Sequence, residues 1–158
     1  MIEVESYLRS GDGRFTPVAD AQEAPGDPRY VAGAITLEID HAPLLDTAVW
    51  DYVDQLWAYL SDMVGSLADQ DEVSTYFPDQ PIRLVFRRQG AGRLLVSVER
   101  SQGNRTASAS EHELVAALQE KGSVFFRRMS ELVPENSVPY GNALTRLMSY
   151  RPRQGARR

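Results

Sequence analysis

The segment DTAVWDYVDQLWAYLSDMVGSLAD, residues 46 to 69, constrains the fold more than any other part of the chain. At the helical step, Val49, Val53, Leu56, Leu60, Met63 and Leu67 fall within about 40° of one line. Trp50, Trp57 and Val64 flank that stripe on one side, and Tyr52 and Tyr59 flank it on the other. The remaining arc holds Asp51, Asp54, Gln55, Ser61 and Asp62. This spacing predicts an amphipathic helix of about six turns. Asp46 or Thr47 is the expected N-cap, and the early aspartates favour the positive end of the helix dipole. Such a helix must lay its apolar half against something, at about 1.5–3 kcal/mol gross for each large side chain buried.

The rest of the chain supplies a sheet for it. IEVESYL alternates Ile2 and Val4 with Glu3 and Glu5, the period of a half-buried strand. SGDG makes a turn, RFTPV a short return strand, and residues 19 to 29 a loop. In YVAGAITLEID, Ile35, Leu37 and Ile39 oppose Thr36, Glu38 and Asp40. VSTYF reads as a strand ended by PDQP. IRLVFRR and RLLVSVER flank QGAG as a hairpin, and RTASA follows as a further strand. Ser110 and Glu113 have capping-box spacing and open a second long helix, with Leu114, Leu118, Phe125, Met129 and Leu132 on one stripe and Pro134 at its end. SVPYGNALTRLMSY predicts a shorter helix. Hairpin-linked strands with few helices argue for an α+β fold: an antiparallel sheet of five or six strands, with two long helices and a short C-terminal helix covering one face. A length of 158 residues fits one domain over 1–149 with a basic tail over 150–158.

The charge is unevenly placed. The net charge is −5, yet the 53 residues from 30 to 82 contain ten acids and no Lys or Arg. Beyond Glu135 every charge is an arginine. With no Cys, disulfides and thiolate metal sites are excluded. No apolar run approaches a membrane span, and the N-terminus lacks the pattern of a signal peptide, so a cytoplasmic protein without membrane contact is expected. The acidic total charge argues against nucleic-acid binding.

No motif points to catalysis, a metal or a cofactor. His41 and His112 are far apart and fit no ligand spacing. SGDGR and RQGAGR are turns, not phosphate loops. Asp51, Asp54 and Asp62 share the solvent arc of the expected helix, and a base-free block of this kind suits a basic protein partner. Tyr52 and Tyr59, on the margins of the apolar stripe, would be aromatic anchors if exposed. In STYFPDQPIRL, Tyr76, Phe77 and Asp79 form either a recognition loop or, for Phe77 before Pro78, a core aromatic closing the sheet. Arg83 and Arg87 share one strand face, where they would meet phosphate or answer Glu3, Glu5, Glu38 and Asp40 across the sheet.

The runs VWDYVDQLWAYL and TYFPDQPIRLVFRR resemble those of a family of small high-GC actinobacterial proteins, over roughly residues 1 to 149. That resemblance brings no catalytic residue. In size, acidity and layout the chain is also similar, as a class, to immunity proteins that neutralise polymorphic toxins. Many of those set an acidic face against a basic groove, although the arginines at both ends of this chain depart from a pure nucleic-acid mimic. The expectation is a non-enzymatic, immunity- or antitoxin-like inhibitor of a basic partner, such as a cognate toxin. The alternatives are a ligand or enzyme site on the sheet, around Glu38, Asp40, Arg83 and Arg87, and a homodimer or structural subunit.

Overall fold

A computed structural model describes residues 1–151. The fold is α+β, with two antiparallel sheets and three helices. The first sheet contains β1 (Ile2–Arg9), β2 (Phe15–Pro17), β3 (Ala32–Ile39), β4 (Ala42–Leu45) and the two-residue β5 (Asp51–Tyr52). Its order is β2-β1-β3-β4, and β5 also pairs with β3. The second is the meander β6 (Glu72–Tyr76), β7 (Arg83–Gly90), β8 (Arg93–Glu99) and β9 (Arg105–Ser110), in chain order. The helices are α1 (Val53–Ser66), α2 (Glu111–Leu132) and α3 (Ser137–Met148). The expected single sheet is therefore two. The change of sheet falls at α1, which leaves β5 in the first sheet and returns as β6 in the second.

Alternation builds both sheets. Val4, Ile35, Leu37 and Ile39 face inward from the first; Leu84, Phe86, Leu94, Val96 and Val98 face inward from the second. These side chains join one core cluster with all three helices. At its centre Trp57 stacks on Phe125 at 5.9 Å, and Phe125 meets Phe126 edge-on at 5.4 Å. The indole N–H donates to Ser6 Oγ at 2.8 Å, so the polar edge of a fully buried ring is satisfied. Gly122, which costs α2 about 1 kcal/mol relative to Ala in intrinsic propensity, has a packing reason. A Cβ there would lie 2.4 Å from Leu147 Cδ2 and 2.9 Å from Trp57 Cζ3.

Two boundaries differ from expectation. The long helix starts at Val53, not near Asp46, and spans 14 residues, which is about four turns. Residues 51–52 pair with Ala32 and Gly33, and Val53 N donates to Val31 O at 2.9 Å, so the sheet claims this backbone before the helix can. Asp46 caps a 3₁₀ turn over Thr47–Val49, accepting from Ala48 N at 2.9 Å, and does not cap α1. The second long helix begins as expected, with Ser110 Oγ accepting from Glu113 N at 3.2 Å. At the C-terminal end, Tyr150 is buried, and its hydroxyl donates to Glu111, so it belongs to the core and not to a tail. The remainder of the expected tail, from 152 onward, lies outside the described residues.

Candidate partner surface

The eight residues singled out in the sequence separate into internal and external groups. Asp51 is internal, only 4% exposed. Its Oδ2 accepts from the backbone amides of Asp79 at 3.0 Å and Gln80 at 2.9 Å, and its Oδ1 from that of Tyr52 at 2.6 Å. The placement of Asp51 on a solvent-facing helix arc is thereby corrected. It precedes the helix and pins the turn between β6 and β7 to β5. A carboxylate is retained in such a site because backbone N–H groups replace its water. Phe77 is also internal, its N–H donating to Ile82 O at 2.9 Å, and it packs as a core aromatic at the end of the sheet.

Asp54 is half-buried in the first turn of α1. Burial pushes its carboxyl above the ordinary value, while hydrogen bonds from Tyr140 Oη at 2.8 Å and the Gln55 amide act in the opposite direction. Tyr140 is in turn raised by burial beside this carboxylate. Asn136 Nδ2 reaches Tyr140 Oη at 3.2 Å and Pro28 O at 2.8 Å. Asp54 therefore ties α1 to α3 and to the loop before β3. Tyr52 is half-buried, tilted against Tyr30 with ring centroids 5.7 Å apart.

The external group is Tyr59, Asp62, Tyr76 and Asp79. Tyr59, Asp62, Met63 and Ser66 lie along one face of α1. With Gln70 and residues 72–75 they enclose a shallow groove of about 370 Å³. Tyr76 stands beside it, 66% exposed. Glu72 and Ser74, which the sequence did not single out as contacts, complete this surface. The only local sign of them is the alternation of β6.

The ten acids of the base-free block do not form an uncompensated face. Arg105 reaches Asp46 at 3.2 Å, Arg87 reaches Glu72 at 2.6 Å, Arg88 reaches Asp71 at 3.4 Å, and Arg146 approaches Asp62 at 4.0 Å. The N-terminal amine pairs with Asp40. The missing bases are supplied from both sides of the block along the chain, most of them by the later strands and α3. Exposed pairs of this kind are worth about 0–1 kcal/mol each, and Asp62 keeps 73% of its side chain in solvent.

The arrangement imagined for a site on the sheet does not form. Glu38 and Asp40 are at the first sheet, whereas Arg83 pairs with Glu99 and Arg87 with Glu72 in the second. A separate cleft of about 600 Å³ lies over β1, β3 and β4 beside α2. Glu3, Glu5, Glu38, Asp46, Glu120 and Lys121 contribute to its lining, and Lys121 pairs with Glu5 at 3.6 Å. Among the described residues, no group of three or more His, Asp or Glu is placed to hold a metal ion, and no helix is long and apolar enough to cross a membrane. No known family, curated protein or solved structure matches the chain.

Proposed function

We propose that this chain is a non-enzymatic binding protein of the immunity or antitoxin-like kind, meeting a basic partner protein across the surface shared by α1 and β6. The observation that carries this reading is the meeting of Tyr59, Asp62 and Glu72 around one groove, with Tyr76 exposed at its side. Partly exposed tyrosines offer large contact area at low entropic cost. Carboxylates beside them speed encounter with a positive surface and reject a negative one.

The test is capture of the partner from the source lysate on immobilised protein, eluted with stepped salt. A stoichiometric basic protein, released at lower salt from the Asp62→Asn, Asp79→Asn double variant and lost from Tyr59→Ala, is the expected result. Wild type and variants that retain the same proteins to the same salt step would overturn the assignment of this surface.

A further inference from the structure

The ladder of the second sheet determines which backbone groups of β6 are already used. Arg88 N donates to Asp71 O at 2.8 Å, and Phe77 N donates to Ile82 O at 2.9 Å. Hydrogen-bonded positions alternate along an antiparallel pair. Val73 opposes Phe86 and Thr75 opposes Leu84, so Asp71, Val73, Thr75 and Phe77 turn their backbone groups toward β7. Glu72, Ser74 and Tyr76 turn theirs away, and all three residues are exposed. Among the described residues no backbone hydrogen bond reaches these outward groups; the Thr75 hydroxyl donates to Tyr76 O at 3.0 Å.

The other sheet edges differ. β9 contacts β4 of the other sheet, while helices pack beside both outer strands, α2 on β9 and α1 on β6. β2 has three residues. Folded chains commonly protect an open edge with a bulge, a proline or a lysine. β6 pairs with β7 without a register shift and contains neither proline nor lysine.

From this we infer that β6 accepts a strand: an extended basic segment of another protein pairs with its free edge, alongside the groove against α1. This rests on the binding role proposed above and specifies its mode. An added strand would lie about 4.8 Å from β6, with alternate side chains directed to either face. Toward α1 it would meet Asp62, Met63 and Val73, and on the opposite face Glu72, which Arg87 already pairs with; among the described residues the groove lining contains no Lys or Arg. That chemistry selects Lys or Arg at alternate positions of the incoming segment. A second copy of this chain fits less well, because its β6, Glu72–Tyr76, carries no Lys or Arg to meet these acids.

The probe is a displayed library of decapeptides with Lys or Arg at every second position, selected on the full chain. Selected peptides should slow amide exchange at Glu72, Ser74 and Tyr76. They should also bind roughly tenfold more weakly after N-methylation of alternate residues, which removes the donors a strand needs. Ser74→Pro should weaken binding to the same degree. Its own N–H points outward, so the β6–β7 ladder survives. Should that variant fail to fold, the N-methylated peptides answer the same question on the wild-type protein. Peptides that bind equally with and without N-methylation would overturn strand addition while leaving the partner surface in place. A library that yields no binder overturns it as well. A wild-type dimer that Ser74→Pro dissociates would identify a second copy as the occupant and overturn the basic segment.

Discussion

Residues 46–54 and residues 59–79 belong to the same base-free block and carry the same residue types, yet they serve different ends. In the first region Asp46 caps a turn, Asp51 holds the 79–80 amides and Asp54 holds Tyr140. In the second, Tyr59, Asp62, Asp69, Glu72, Tyr76 and Asp79 are exposed. A run of acids in sequence is therefore not a negative surface. Within this block, Asp51 and Asp54 are drawn inward by the amides and the hydroxyl they satisfy, while Asp62, Glu72 and Asp79 stay outside. The two regions should respond oppositely to neutralisation: the inner one through stability, the outer one through association.

The largest effect is expected where the outer region is fastened to α2. Arg88 donates to the carbonyls of Leu67 and Gln70, each at 2.6 Å, where α1 ends, and forks onto Glu111 at 2.8 and 2.9 Å, where α2 begins. Its side chain and that of Glu111 are only 15% and 13% exposed. Arg88→Met removes the cation from a carboxylate shielded from water, and should cost about 3–5 kcal/mol. Urea unfolding measures it; a loss below about 1 kcal/mol would place this pair with ordinary surface pairs. Next is Asp51→Ala, expected to cost about 2–3 kcal/mol because the Asp79 and Gln80 amides lose a charged acceptor. Faster amide exchange confined to residues 77–82 would accompany it. An unchanged midpoint would return Asp51 to the solvent-facing role it had by helical spacing.

Those two residues also mark what the sequence could reveal. The strands of Ile2 and Val4, the QGAG hairpin and the Ser110 cap were legible because each is a local pattern, of period two, of turn chemistry or of capping spacing. The start of α1 was not. The 3.6-residue period runs unbroken through Val49, while the competing pairing of Asp51 and Tyr52 with β3 is long-range and too short to have a signature. Helical spacing misplaces Asp51 for the same reason, since its partners lie 28 and 29 residues away. Tyr59 and Asp62 were legible because they lie well inside the helix, where the arc is reliable. Glu72 and Ser74 were not, because the groove exists only once β6 lies against α1.

Asp54 gives a smaller effect, with a pH signature. Its carboxyl is raised in the folded chain, chiefly by burial. The protonated form is thus favoured by folding. Its contribution to stability is complete below the ordinary aspartate value and is lost as pH rises through the raised one. Asp54→Asn keeps an acceptor for Tyr140 and never ionises. The difference in Tm, variant minus wild type, should be near zero at the acid end and climb to a positive plateau as pH passes the raised value. A difference independent of pH would mean that the Tyr140 and Gln55 hydrogen bonds fully offset the burial.

The smallest change in stability is expected in the outer region, and there the comparison is sharpest. Asp62 and Asp79 are exposed, and among the described residues the cation nearest Asp62 is Arg146 at 4.0 Å. Their conversion to Asn should shift stability by no more than about 0.5 kcal/mol, the range of ordinary surface changes. The same substitutions remove one charge from the groove lining and one from the β6–β7 turn. Association with a basic partner should slow, and its rate should lose part of its salt dependence, while dissociation changes little. Stopped-flow measurement at several salt concentrations separates the two rates. If association is unchanged and stability falls, the outer acids belong with the inner ones as internal supports, and the α1–β6 surface loses its electrostatic role.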